Sequence, residues 1–161
     1  METLQITKEA AILAHEEASS KGKTLLENLF GKKTFLKNIK DRVKSIEDAI
    51  AELGEDDVEV IELRKLQDSG ITSHILKQQI VVVITKALNE GWTPDWSNSN
   101  ETKYFPWFRM GSSSGSGFSF NGYGGWATSS TVGSRLCFKS RELAEYAGKQ
   151  FTEIYKEFMT I

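Results

Sequence analysis

The residues able to carry chemistry are few and scattered. His15, His74 and Cys137 are the two histidines and the single cysteine of the chain, and they show none of the spacings that bind a metal ion. Cys137 falls in the middle of an expected strand, where a small buried or half-buried thiol is the common outcome. Gly22-Lys23-Thr24 imitates the end of a phosphate loop, but the position that should hold the leading glycine is Glu17, inside an expected helix with no strand before it. The glycine–serine stretch 111–117 lacks the lysine and following helix of a phosphate cradle. Asp95 and Glu101 are the only acids near the expected sheet, so no carboxylate pair for acid–base work stands out. The expectation is a protein without enzymatic activity, cofactor or metal.

One constellation does carry a sharp hypothesis. All four tryptophans lie between Gly91 and Lys139, and ten of the chain's aromatic residues, with six glycines, fall between Trp92 and Trp126. Cations accompany them. The candidate binding set is Lys103, Tyr104, Trp107, Arg109, Tyr123, Trp126, Arg135 and Lys139. Aromatic rings on a sheet with flanking cations can stack the bases of single-stranded nucleic acid or a nucleotide, each stack contributing roughly 1–3 kcal/mol. Tryptophan and tyrosine suit protein interfaces equally well, between copies of the chain or with another protein. Against both stands the plain reading that most of these rings form the core beneath two helices, with exposure expected on the face that carries Arg135 and Lys139.

The elements that must position these residues can be read from periodicity and caps. Residues 7–19 predict a helix capped by Thr7 with a thin apolar face, and 24–30 a short helix stopped by Gly31. Ser45-Ile46-Glu47-Asp48 resembles a capping box and opens a helix that Gly54 ends. The spacing of Val58, Ile61, Leu63 and Leu66 leaves helix and irregular connection both open. Ser73 to Glu90 predicts a central helix, apolar nearly all round at Ile80–Ile84.

After Gly91 the pattern changes to strands at 104–110, around Phe118 and Phe120, and at 134–139, where Leu136 and Phe138 oppose Arg135, Cys137 and Lys139. Pro106 places the first of these at a sheet edge or a bulge. Asn121-Gly122 and Gly124-Gly125 predict turns. Ser140 caps a last helix to about 159, with Leu143, Ala147, Phe151, Ile154 and Phe158 facing inward. The fold class expected is α+β: a small antiparallel sheet of about three strands flanked by two helices, with a helical N-terminal region.

Composition sets the outer bounds. A chain of 161 residues suffices for one domain with a real core and a small helical appendage. Its net charge of −2 argues against a general nucleic-acid coat. Charge is segregated: Lys21–Lys44 holds eight bases against Glu27 and Asp41, whereas Ser45–Glu62 holds eight acids and no base. That segregation reads first as two solvated, compensating faces, and second as a basic arm for an acidic partner. The N-terminus lacks the basic and apolar segments of a signal peptide, and the longest apolar run, Ile80–Ile84, is far too short to span a bilayer. A lone cysteine gives no disulfide framework. The expected compartment is the cytoplasm, with no membrane partner.

The segments Ser45–Ala49, KALNEGWTPDW (86–96), KYFPWF (103–108) and GSRLCFKSRELAEYAGKQF (133–151) resemble a family of small uncharacterised proteins of gut Bacteroidales and their phages. The resemblance spans about residues 41–161; residues 1–40 carry none of the pattern and read as a variable helical extension. It implies a phage or mobile-element setting, with host cytoplasm or virion as location and a phage protein as a further possible partner. It implies no activity and no site residues.

Overall fold

The structure, a computed structural model, describes residues 6–36, 38–70, 73–111 and 117–160. The chain divides into two compact units, Met1–Arg42 and Val43–Ile161. In the first, α1 (Lys8–Glu17) is capped by the Thr7 hydroxyl, which accepts the Ala10 amide. Helix α2 (Ser20–Phe30) starts four residues before the expected position, because Ser19 offers its hydroxyl to the Gly22 amide. A 3-10 turn (Lys32–Phe35) and a short helix α3 (Ile39–Arg42) complete the unit. Its buried apolar residues among those described are Ala11 and Ile39.

The second unit begins with α4 (Ile46–Leu53), where Ser45 Oγ accepts the Asp48 amide and the Asp48 carboxylate accepts the Lys44 amide. The ambiguous stretch that follows is a helix, α5 (Val58–Asp68), and the signal that decides it is Asp57, whose carboxylate accepts the Glu59 amide at 2.9 Å. Helix α6 (His74–Asn89) is the axis of the unit. Val81, Val82, Val83, Ile84, Thr85, Ala87, Leu88 and Asn89 are all buried along it, which is what an all-round apolar helix requires.

Strands β1 (Lys103–Arg109) and β2 (Ser119–Trp126) pair antiparallel, from Lys103 opposite Trp126 to Arg109 opposite Ser119. The register shifts between Trp107, opposite Gly122, and Phe108, opposite Phe120, so Asn121 is the extra residue of a β-bulge. The expected 140–159 helix is two helices, α7 (Arg141–Gln150) and α8 (Thr152–Met159), broken at Phe151. The Thr152 hydroxyl donates to the Gly148 carbonyl one turn back, a bond that bends helices. Helix α6 packs against α4, α5 and α8, while α7 lies across both strands. The close fit of α7 rests on Gly148: a Cβ there would stand 2.4 Å from the Phe120 ring.

Three expectations about the sheet are corrected. The sheet has two strands among the described residues, and the expected third, 134–139, is a 3-10 turn (Ser134–Leu136) followed by a single bridge between Tyr104 and Phe138. The cause lies in β1. Tyr104 donates its amide to the Phe138 carbonyl and accepts the Phe138 amide, so its backbone faces away from β2. The next outward-facing residue is Pro106, which has no N–H to continue the ladder. Asn121-Gly122 and Gly124-Gly125 are not turns; both lie inside β2. Gly122 takes φ +140° at the bulge, and at Gly124 a Cβ would fall 2.4 Å from the Phe105 ring, so these glycines serve a bulge and a ring contact. Of the 111–117 loop, residues 112–116 lie outside the described residues.

Candidate binding face

The alternation of β1 sorts the aromatic set onto two faces. Lys103, Phe105, Trp107 and Arg109 share one side with Gly122, Gly124 and Trp126 of β2; Tyr104, Pro106, Phe108 and Tyr123 share the other. The second side is roofed by α7. There Phe108 stacks on Phe118 at 4.8 Å and reaches Tyr155 of α8, while Tyr104 and Tyr123 lie 5.9 Å apart. The Arg141 guanidinium covers the Tyr123 ring at 4.8 Å. Tyr104 is half-buried there, and Tyr123 keeps an exposed edge.

Among the described residues, α7 is the helix that packs substantially on the two strands, and the first side is the one away from it. Trp107 is 54% exposed and Trp126 53%, with the buried Phe105 ring between them, 6.2 Å from Trp107. Arg109 is exposed there, and no ion pair or hydrogen bond ties its side chain among the described residues.

The other expected cations are committed elsewhere. Lys103 is 1% exposed. Its ammonium donates to the Glu101 carbonyl at 2.8 Å, the Ala127 carbonyl at 3.0 Å and, more closely, the Asp95 carbonyl. The Asn98 carbonyl at 3.4 Å and the Glu101 carboxylate at 3.2 Å complete the cradle, and the Trp96 ring stands over it at 5.3 Å. Lys103 is therefore a clip that fastens the 95–101 loop to both strands, and it leaves the binding set. Arg135 approaches Glu59 of α5 at 3.4 Å, and Lys139 pairs with Glu90 at 3.0 Å. Without a third strand, neither is a residue of the β1–β2 sheet that carries Trp107 and Trp126.

Signals that sequence reasoning missed concern the supports of this face. Asn89, buried at the end of α6, donates to the Cys137 carbonyl and accepts the Lys139 amide, holding the 137–139 segment in place of a neighbouring strand. The Glu101 carboxylate accepts the Asp95 amide, and this bond first, with help from Lys103, holds its pKa below the ordinary carboxylate value against an opposing desolvation. An asparagine ending an apolar helix was the one available hint for Asn89.

Burial pushes the Cys137 thiol up to about 11, so it is protonated at neutral pH. His15 stacks on Phe35 at 4.1 Å with Nε2 3.1 Å from Glu27, and His74 is exposed at the start of α6. No group of three potential metal ligands occurs among the described residues. A cleft of ≈ 370 Å³ lies between α5, α6 and the 92–94 loop, but its charged groups are already paired, Glu59 with Gln79 and Arg135, and Lys86 with Asp57. No described helix is long and apolar enough to cross a membrane. No protein-family model matches the chain, and neither a curated protein nor a solved structure matches it.

Proposed function

We propose that this chain is a non-enzymatic binding protein whose working surface is the tryptophan-bearing side of the β1–β2 sheet, and that this surface docks protein. The observation that carries the reading is the pairing of two features. Trp107 and Trp126 stand more than half exposed on one face, and of the cations expected beside them Lys103 is buried and Arg135 and Lys139 are ion-paired. Interfaces are enriched in tryptophan and depleted in charge at their centre. Binding to nucleic acid draws on phosphate neutralisation, and the second unit holds twelve bases against sixteen acids. The resemblance to a family of Bacteroidales and their phages supplies a setting, an accessory or structural protein of a mobile element.

A single-stranded nucleic acid or nucleotide on the same face is the second reading. The exposed Trp107 and Trp126 rings and the uncommitted Arg109 favour it. Tryptophan emission and acrylamide quenching, followed at two salt concentrations, separate the two. Protection that grows with protein concentration, ignores salt and is absent from Trp107→Ser/Trp126→Ser supports protein docking. Salt-sensitive protection by an unstructured oligonucleotide overturns it in favour of the second reading.

A further inference from the structure

We infer that the protein docked on this face is a second copy of the chain, joined through the outer edge of β2 into a continuous four-stranded antiparallel sheet of order β1-β2-β2-β1. The inference rests on the proposed protein-docking role of the tryptophan face and names its partner.

The two edges of the sheet differ. On the β1 edge Tyr104 is occupied by Phe138 and Pro106 has no amide, so that edge can accept no strand. On β2 the bonding directions follow from the same Tyr104 contact. Backbone groups alternate in direction along a strand. Since Tyr104 faces outward, Lys103 and Phe105 bond toward Trp126 and Gly124, and on β2 it is Tyr123 and Gly125 that present N–H and C=O to the outside. No described backbone group meets them. Natural sheets guard such an edge with lysine, proline or other charge; residues 117–126, GFSFNGYGGW, carry neither a charge nor a proline. A twofold pairing therefore sets no like charges of the strands themselves against each other.

One register pairs the outward groups of Tyr123 and Gly125 with each other. With Gly124 opposite Gly124 of the second copy, Tyr123 faces Gly125 and Gly125 faces Tyr123, giving four backbone hydrogen bonds about the twofold axis. The same register sets Trp126 opposite Gly122 of the second copy. Nothing lies within 4 Å of where a Cβ on Gly122 would stand, in contrast to Gly124 and Gly125, whose places are filled by Phe105 and by Thr102 and Tyr104. Trp107 is directly across Gly122 on β1. Strands lie ~4.8 Å apart, so Trp126 of one copy crosses the open glycine and meets Trp107 of the other, twice. Both exposed tryptophans of each copy are covered by one symmetric contact, self-complementary as a twofold interface must be.

The experiment is sedimentation velocity over a hundredfold range of concentration, with amide hydrogen exchange at both ends of the range. The expected result is a monomer–dimer equilibrium in which the Tyr123 and Gly125 amides gain protection with concentration while Gly122 and Gly124, already bonded within the sheet, do not. Trp126→Ser should raise the dissociation constant by about tenfold or more. A dimer whose Tyr123 and Gly125 amides exchange as in the monomer overturns the edge pairing. A chain that stays monomeric, with Trp107 and Trp126 still protected by an added protein or peptide, overturns the self-pairing and leaves the docking face intact. A monomer whose tryptophans respond to nothing overturns both.

Discussion

Replacing Lys103 by methionine tests the structural assignment of this residue. The substitution keeps the length and apolar stem of the side chain and deletes only the ammonium. In the native protein that ammonium is the donor to the Asp95, Glu101 and Ala127 carbonyls and lies beside the Glu101 carboxylate, at a residue 1% exposed. Leaving these backbone carbonyls without their buried donor costs about 1–3 kcal/mol or more, because they keep their desolvation and lose their partner. A domain is stable by only about 5–15 kcal/mol in total, so the loss should move the urea midpoint far with little change in slope. Lys103→Arg should also destabilise, since a planar fork cannot converge on carbonyls arranged around a point charge. Lys139→Met is the control: its pair with Glu90 is partly exposed and should contribute no more than about 1 kcal/mol. If Lys103→Met and Lys139→Met shift the midpoint equally, the cradle is not what holds the 95–101 loop, and Lys103 returns to the set of surface cations.

Phe151→Ala should cost about 3–5 kcal/mol in chemical denaturation, because the ring is buried at the junction of α7 and α8. Cys137 should react with a thiol reagent at pH 8 far more slowly in the native protein than in denaturant, since its pKa of about 11 and its burial withhold the thiolate. Glu101 titrates below its ordinary 4.5 in the folded chain, so it favours folding above that value and the benefit fades as pH falls through the lower native pKa. Glu101→Gln should accordingly flatten the loss of stability on acidification below pH 4.5. Residues 43–161 expressed alone should unfold cooperatively with the α+β circular dichroism of the unit, as expected of a compact body with its own core.

What the sequence revealed follows the range of the interaction. Thr7, Ser45, Ser73 and Ser140 each cap the helix expected of them, since a cap and its amide lie two or three residues apart. The third strand failed because its requirement is distant: residues 134–139 alternate like a strand, but the ladder they need runs out at Pro106. The binding set divided for the same reason. Trp107 and Trp126 sit on one face because β1 and β2 register as alternation implies, whereas the fate of Lys103 was decided by a loop whose path no periodicity describes. Composition could count the rings; only the wrapping of the chain could say which of them meet solvent.

The Asn89 clamp has a consequence for the order of folding. Its carboxamide joins α6 to Cys137 and Lys139 across 48 and 50 residues of chain, and the bridge it steadies, Tyr104 to Phe138, is itself far from local. The β1–β2 ribbon closes over a shorter span, so loop-closure entropy places its formation first and the arrival of residues 137–139 afterwards. In that interval both borders of the nascent ribbon are bare, and Pro106 is the one guard present before the clamp engages. Pro106, having no amide to offer, thus guards the β1 border against a stray strand before residues 137–139 arrive.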